Sequence, residues 1–380
     1  MNSTIMNGPK TEVHAEAVDH IEIREATDAD NEALLALTRA TPMGGRIALR
    51  IDRDPDFFAL LRARGEAVIY VAKHDEEVIG CLSAAIHMSY VRGTLEKIAH
   101  VGDMKVHPAF RGRQVTLRLI AALHARLQAE GVDVCFSLVA DGNKPVMRIS
   151  EGRHGTPAQV QLGRFFVDEL FPSPWQRKSR EYVIEAACEQ DLPEIAFILD
   201  RLHRERNFAP HIQSEELKNC LAPAGPGPFR RMMVARKGGR VVATLTVEDT
   251  RNLRQNVLVG LPLFLCLALP LLRALAFPIP GLKVPGLGGQ LSMLYVRLMA
   301  CAEGYEEALR PLISEARVLA YRHRFTFLSI GLHELDPLRR VVHGIPRFTF
   351  TSRSMATSAI TPDRVKSLVD QIPYEDFALV

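Results

Sequence analysis

The sequence lacks the patterns that mark nucleic-acid-binding, zinc-binding and disulfide-stapled proteins. It has no block of five or six like charges and a net charge of only +3, which argues against a nucleic-acid partner. Its six cysteines lie far apart without a CxxC pair, so we expect reduced cysteines in a cytoplasmic protein and no metal site. Residues 1–19 contain no apolar core of a secretory signal and are predicted to form a flexible tail.

What the sequence does contain is an internal repeat. A chain of 380 residues with 47% hydrophobic residues has room for two globular domains. Segment 21–37 (IEIREATDADNEALLAL) matches segment 182–198 (YVIEAACEQDLPEIAFI) at a constant offset of 161 residues. Each predicts a short strand, a polar turn with acidic residues near the helix start, and an amphipathic helix.

Two further matches extend the repeat and locate an insertion. Hairpins around residues 71–80 and 234–243 match at an offset of 163, with polar tips HDEE and KGGR. The strand VDVCFSLV, from Val132, matches FTFLSIGL, from Phe325, at an offset of 192 or 193. The second copy is therefore longer by roughly 30 residues, as the jump in offset requires. We predict one domain over residues 20–178 and a second over 179–380, with an apolar insert at 250–289.

The insert is almost free of charge. Between Val257 and Pro280 only Arg273 is charged, and this length would allow a membrane span. Several prolines remove backbone donors there, and a span would place two parts of one sheet on opposite sides of a bilayer. Two alternatives stand beside the span: a helical lid packed on the protein, or an interfacial element that touches a membrane or a lipid-like substrate.

The stretch VHPAFRGRQVTLRL, residues 106–119, predicts a strand that ends in an Arg-Gly turn and continues into a helix. Free N–H groups and aligned peptide dipoles at such a helix start favour a bound phosphate. Arg111 and Arg113 add positive charge within one turn, which suits a pyrophosphate. A solvated basic turn would show the same triplet, so the spacing leaves both interpretations open.

The order of elements around this stretch resembles the GCN5-related N-acetyltransferase (GNAT) superfamily, clearly over the first half and more faintly over the second. That family's signature is Arg or Gln, two residues, Gly, one residue, then Gly or Ala, and it holds the pyrophosphate of acetyl-CoA or another acyl-CoA. Arg111 matches the first position, whereas Gln114 and Thr116 occupy the two small positions. The resemblance implies a cofactor-binding loop made of Arg111, Gly112, Arg113, Gln114, Val115 and Thr116. A glycine at the first small position permits a positive φ, so Gln114 modifies the loop without abolishing it.

The resemblance also implies residues for the pantetheine arm and for catalysis. Family members bind the arm through the backbone of the strand before the loop, where the matching positions are Met104 and Val106. Some members place a general base earlier on this strand, at the position of His100 here. Because side chains alternate along a strand, we expect His100, Gly102, Met104 and Val106 to share one face and Asp103 to point to the other. His100 is equally explained as an ordinary strand-edge histidine.

After the next strand many members carry an asparagine and, seven residues later, a tyrosine that acts as general acid. Asn143 matches the first, but Ser150 stands at the tyrosine position. A serine can donate a hydrogen bond to the CoA sulfur but lacks the acidity of a phenol, and a helix-surface serine is the simpler alternative. The second copy has no Arg-Gly cluster at its corresponding turn. Glu303, Glu306 and Glu307 would repel a pyrophosphate there, so we expect that copy not to bind CoA.

The sequence therefore predicts an α/β (α+β) protein of two tandem GNAT-like domains, each a mixed, mostly antiparallel sheet flanked by helices. The first domain is expected to transfer an acyl group, most simply acetyl, from acyl-CoA to the amine of a small or hydrophobic acceptor. Two rival functions stay open. One is a non-catalytic CoA-binding or regulatory module, and the other is a membrane-peripheral long-chain N-acyltransferase that contacts the membrane through residues 257–280.

Overall fold

One mixed sheet runs through both halves of the chain and supports the helices. The computed structural model describes residues 20–44, 47–150, 152, 159–221, 228–276 and 284–380. The strands are β1 Ile21–Glu25, β2 Ala48–Asp52, β3 Glu66–His74, β4 Glu77–Val91, β5 Thr94–Val106, β6 Val134–Ala140, β7 Val160–Leu170, β8 Val183–Ala186, β9 Arg230–Lys237, β10 Arg240–Asp249, β11 Gln255–Gly260, β12 Gln290–Leu291, β13 Met293–Cys301, β14 Phe327–His333 and β15 Arg347–Ser358. The helices are α1 Asn31–Ala40, α2 Ala59–Arg62, α3 Val115–Ala129, α4 Lys144–Ser150, α5 Leu192–Arg204, α6 Ser214–Leu221, α7 Leu263–Ala276 and α8 Leu309–Arg322.

Twelve of these strands form the sheet, in the order β1-β3-β4-β5-β6-β15-β7-β14-β13-β10-β9-β8. Each half is mostly antiparallel with one parallel pair, β5 with β6 in the first and β13 with β14 in the second. At the centre the halves exchange their last strands. Strand β15 lies between β6 and β7, and β7 pairs with β14. The predicted fold class is confirmed, and its two units share a single sheet.

The internal repeat is confirmed at the level of individual hydrogen bonds. The Thr27 N–H donates to the Asp30 carboxylate at 2.8 Å just before α1. In the second copy the Cys188 N–H donates to the Asp191 carboxylate at 2.9 Å just before α5. Such a carboxylate satisfies a backbone donor that would otherwise be unpaired near a helix start. The same capping contact thus begins the first long helix of each copy.

The apolar insert forms a second bridge between the halves. Strand β11, within the insert, pairs antiparallel with β2 of the first half, with Asn256 opposite Ile51. Its other edge pairs with β12, which gives a separate three-stranded sheet. Leu258 and Leu291 bury their side chains in a cluster with Tyr295 of β13. Helix α7 follows β11 directly, so the start of α7 lies beside a sheet that contains strands from both halves.

A β-bulge interrupts β5, the strand that contains the predicted site residues. The register against β4 shifts between Cys81 and Ser83, and Asp103 adopts a left-handed φ of 52°. An extra residue in one strand reverses the alternation of side chains beyond it. The bulge therefore changes which residues of β5 share a face.

This change overturns one prediction. His100 lies opposite Ala85, whose side chain packs with α1 and α2, and Asp103 accepts a hydrogen bond from Ser83 on that same face. Met104 and Val106 instead pack against the core beneath α3. His100 and Asp103 thus share a face, and Met104 and Val106 lie on the other, because strict alternation does not survive the bulge.

The C-terminal segment, residues 373–380, lies across the junction of the halves. Arg64 from the first half and Arg254 from the second both donate to backbone carbonyls of this segment. The Phe377 ring packs directly over Gly331 of β14, where a Cβ would come within 1.9 Å of the ring. A side chain at position 331 would therefore exclude the segment from this position.

Replacing Gly331 with alanine should destabilise the protein by about 1–3 kcal/mol, because the new methyl group overlaps the Phe377 ring. Urea denaturation of the wild type and of Gly331→Ala measures this cost. In a Phe377→Ala background the same substitution should cost much less, since the overlap is gone. Equal costs in the two backgrounds would contradict the assignment.

Candidate active site

Strands β5 and β6 diverge just beyond His100 and leave an open wedge in the sheet. They pair in parallel only from Ile98 opposite Val134 to Val101 opposite Ser137. Farther along, β5 pairs only with β4, and β6 pairs only with β15. The facing edges of residues 102–106 and 138–140 therefore have no strand partner. Their backbone groups are available to a ligand with amide groups of its own.

The chain leaves this wedge through a 3-10 turn, Pro108–Phe110, and enters α3 at Val115. Within the described residues, none of the backbone N–H groups from Gly112 to Leu117 donates a hydrogen bond. Consecutive unpaired donors at a helix start, aligned with the helix dipole, form a site for an anion. The predicted phosphate loop thus has the backbone geometry that it needs.

The side chains of the loop explain how it tolerates its unusual sequence. Gln114 adopts a left-handed conformation with φ 57° and ψ 6°, which glycine adopts at lower cost. The Arg113 guanidinium lies over the Phe110 ring, 4.9 Å from its centroid, while Arg111 is exposed beside the free N–H groups. Val115 is buried in the core beneath α3. Buried Val115 thus attaches the loop to the core, while Arg111 and Arg113 give the loop a positive charge.

The corresponding turn of the second copy pairs several of its backbone donors within the turn. The Gly304 N–H donates to the Glu306 carboxylate at 3.4 Å, and Glu303 pairs with Arg201 at 2.5 Å. A 3-10 turn, Glu306–Ala308, precedes α8 and supplies carbonyls to the Leu309 N–H. This turn therefore has acidic side chains where the first copy has Arg111 and Arg113, and the absence of CoA binding by this copy stays a prediction.

His100 is buried and paired with a residue from the far end of the chain. Its Nε2 lies 2.7 Å from Oε2 of Glu375, and Oε1 of Glu375 lies 2.6 Å from an Arg64 nitrogen. Burial lowers the pKa of His100 below its ordinary value, Arg64 lowers it further, and Glu375 raises it in part. The imidazole is therefore neutral at pH 7, the form that can accept a proton.

Asp103, the neighbouring carboxylate, has a structural environment. It pairs with Arg53 at 2.8 Å and with Lys105 at 2.7 Å, and it accepts from Ser83 at 2.9 Å. Although burial raises the pKa of this carboxyl, the charges of Arg53 and Lys105 hold it well below its usual range. A carboxylate stabilised in this way is a weak proton acceptor. It anchors the bulge and links β5 to the segment after β2.

Asn143 and Ser150 are the two predicted site residues that follow β6. The Asn143 side-chain oxygen accepts from the Val146 N–H at 3.5 Å, at the start of α4. Ser150 ends α4, but its side chain lies outside the described residues. The roles of Asn143 and Ser150 toward CoA stay predictions.

Helix α7 presents an apolar face to solvent. Leu263, Phe264, Leu267 and Leu271 are 76%, 68%, 74% and 63% exposed. A lid packed on the protein would bury such side chains, so these four disfavour the lid alternative. Among the residues that the structure describes, no helix has both the length and the apolar character needed to cross a bilayer.

Comparison with known proteins gives a family match in the first half of the chain. Residues 31–154 match the model of the acetyltransferase (GNAT) family, a range that includes the wedge, the phosphate loop and α3. No curated protein matches the chain in sequence. Over the matched range, the chain is thus similar to acetyltransferases of this family.

Solved structures extend the likeness to the second half. A GCN5-related N-acetyltransferase from Anabaena variabilis is 10% identical, with 89% of this chain and 73% of that chain covered and a TM-score of 0.50. The Saccharomyces cerevisiae N-myristoyltransferase with bound myristoyl-CoA is 11% identical, with 93% and 89% covered and a TM-score of 0.60. At such identities the likeness concerns the fold alone. The family match covers residues 31–154, and the solved structures extend the likeness in fold to the rest of the chain.

Sequence reasoning missed the residues that reach the site from distant segments. Glu375 lies 275 positions from His100, Arg64 follows α2, and Arg53 follows β2. Each has other charged residues within two positions in the sequence, so no local pattern marks it. The one available signal was His100 itself, since a histidine within an apolar strand needs a polar partner.

Replacing Gln114 with glycine should raise the free energy of unfolding by up to about 1 kcal/mol, because glycine adopts the left-handed conformation at lower cost. Urea denaturation measures the change. Gln114→Ala is the matched control, since it removes the same side chain but keeps a Cβ in the left-handed region. Equal effects of the two substitutions would show that backbone conformation is not the cause.

Proposed function

We propose that the first half of this protein binds acyl-CoA across the wedge between β5 and β6 and transfers the acyl group to an amine. The observation that supports this most strongly is the run of unpaired N–H groups from Gly112 to Leu117 beside Arg111 and Arg113. These donors and charges suit the pyrophosphate of CoA. The open backbone edge around Met104 and Val106 suits the amides of its pantetheine arm.

In the proposed reaction the amine nitrogen attacks the thioester carbonyl carbon, forms the new amide bond and displaces the CoA thiolate. The amine proton passes to a general base, for which neutral His100 is the candidate. The thiolate takes up a proton, with Ser150 as the candidate donor of a hydrogen bond to the sulfur. Most of the rate enhancement would come from holding amine and thioester together, so a missing tyrosine slows the reaction without preventing it.

Two acyl donors fit this proposal. Acetyl-CoA is the simplest, because the matched family is one of acetyltransferases. A longer acyl-CoA is the alternative, supported by the myristoyl-CoA named for the yeast neighbour and by the apolar insert that pairs with β2 of the first half. A small or lipid-like amine is the acceptor class that agrees with either donor. Binding of acetyl-, octanoyl- and myristoyl-CoA, compared at equal concentrations, separates the two donors.

A non-catalytic module that binds CoA is the rival from another class. The serine at position 150 favours it, while the neutral imidazole of His100 beside the wedge favours the enzyme. Release of free CoA thiol in the presence of amines distinguishes the two. Binding of acyl-CoA without thiol release across alkyl, aryl and lipid amines would favour the regulatory module.

We further propose that the protein is cytoplasmic and meets a membrane surface through α7. The exposed large apolar side chains described on this helix are leucine and phenylalanine, and Arg273 is its single charged residue. A helix that is too short to span and keeps an apolar face in solvent is suited to lie at the interface of a bilayer. Such contact would give the first half access to lipid-like amines.

Arg111→Glu should weaken acyl-CoA binding by about tenfold or more, because it places a negative charge beside the pyrophosphate. Isothermal titration calorimetry with acetyl-CoA and longer acyl-CoAs measures the affinity. Arg322→Glu makes the same charge change on an exposed arginine of the second half, one with no carboxylate partner among the described residues, and should leave binding unchanged. Absence of saturable binding by the wild type would refute the proposed function.

Leu267→Asp with Leu271→Asp should abolish flotation with phosphatidylcholine–phosphatidylserine vesicles, because charged side chains oppose insertion into the interface. The control is Phe197→Asp with Leu335→Asp, which adds the same charge at apolar side chains that are 72% and 67% exposed elsewhere. Equal loss of flotation in both pairs would show general charge repulsion. Retained flotation of the α7 variant would exclude this helix as the membrane contact.

A further inference from the structure

The C-terminal segment places one carboxylate against the candidate base of the first half. Glu375 is 6% exposed, and both of its oxygens are occupied. Oε2 lies 2.7 Å from Nε2 of His100, and Oε1 lies 2.6 Å from Arg64. Arg64 also donates to the Leu379 carbonyl at 3.0 Å. The carboxylate is thus held from two sides, and its position depends on the docked segment.

This contact determines which nitrogen of His100 is basic. An ionised carboxylate can only accept hydrogen bonds, so Nε2 of the neutral imidazole must be the protonated nitrogen. Nδ1 is then the proton acceptor, and it has no hydrogen-bond partner among the described residues. The edge of the Phe136 ring packs against the imidazole, with centroids 5.6 Å apart. Tautomer and ring orientation are therefore both fixed.

The position of the pair relates it to acyl transfer. His100 immediately precedes Val101, the last residue of β5 that pairs with β6, so the imidazole stands where the wedge opens. A second carboxylate, Asp103, lies on the same face of β5 but is neutralised by Arg53 and Lys105. Of the two carboxylates, only Glu375 contacts the imidazole.

We propose that Glu375 is a positioning residue for His100, so that the acceptor side of the first half is complete only when the C-terminal segment of the second half is docked. This inference rests on the proposed acyl transfer. Glu375 touches neither donor nor acceptor. It acts by keeping Nδ1 of His100 unprotonated and correctly oriented to receive the amine proton.

The charges that face His100 determine in which direction each substitution should shift the pKa of its imidazole. Arg64, after α2, lowers the pKa of His100, while Glu375 and Asp103 raise it. His87 of β4 is the remaining titratable neighbour, and burial lowers its pKa to about 3, so it is neutral. Removing the charge of Glu375 must therefore lower the pKa of His100, and removing that of Arg64 must raise it.

Glu375→Gln and Arg64→Gln test this in the full-length protein. NMR titration of the His100 imidazole should show opposite pKa shifts, downward in Glu375→Gln and upward in Arg64→Gln. The acid limb of the kcat/KM profile should move in the same two directions. In Glu375→Gln, kcat should fall by about tenfold or more, as expected when a general base is misplaced, with KM for acyl-CoA unchanged. Glu169→Gln, a buried carboxylate of β7 bound to Ser329, is the control and should alter neither readout.

The two readouts separate failure of this inference from failure of the proposed function. A wild type that binds no acyl-CoA or releases no thiol refutes acyl transfer, while the NMR shifts still decide whether Glu375 controls His100. Unchanged His100 titration and unchanged kcat in folded Glu375→Gln would overturn the inference. If that variant does not fold, the acid limb of the kcat/KM profile of Arg64→Gln decides: a limb that moves upward with the His100 titration supports the inference, and an unmoved limb overturns it.

Discussion

The rest of the structure depends on the pairing of β15 with β6 on one edge and β7 on the other. The ladder with β7 runs from Arg347 opposite Leu170 to Ala356 opposite Val160. The last strand of the first half, β7, therefore lies between two strands of the second half, and the last strand of the second half, β15, lies between two strands of the first. A sheet continued in this way cannot be opened between its halves without breaking whole ladders of hydrogen bonds. It also delivers the chain that follows β15 to the junction, where Glu375 meets His100. A candidate site residue of the first half is thereby contacted by a residue from the second.

The two copies share a bulge in their central strand but differ in what surrounds it. Both contain a left-handed residue at a bulge in the central strand, Asp103 in β5 and Leu298 in β13, and in both the parallel pairing stops shortly before it. In the first copy the wedge is open and the following helix start keeps its donors free. In the second copy Arg297, beside the bulge, pairs with Asp376 of the C-terminal segment. One copy keeps an open wedge, and the other holds the segment that contacts His100.

These differences also explain which features could be predicted from the sequence. The capping contacts of Asp30 and Asp191, the hairpins and the helix after Gln114 depend on residues close together in the chain, and local pattern sufficed for them. The positions of His100 and Met104 relative to each other were mispredicted because a single extra residue reverses strand alternation. The exchange of β7 and β15 and the contact of Glu375 depend on pairing across long stretches of chain, which no local period encodes.

The bulge at Asp103 connects the proposed chemistry to the apolar insert. Arg53, which neutralises Asp103, follows directly on β2, and β2 is the strand to which the insert is bound through β11. The face of β5 that holds His100 is therefore joined by an ion pair and one short strand to the element that leads into α7. On the opposite face, α3 begins with the free donors of the phosphate loop. An acyl-CoA bound through the wedge would have its pyrophosphate on the α3 side and its acyl group toward His100. The amine acceptor would then enter from the side built by both halves.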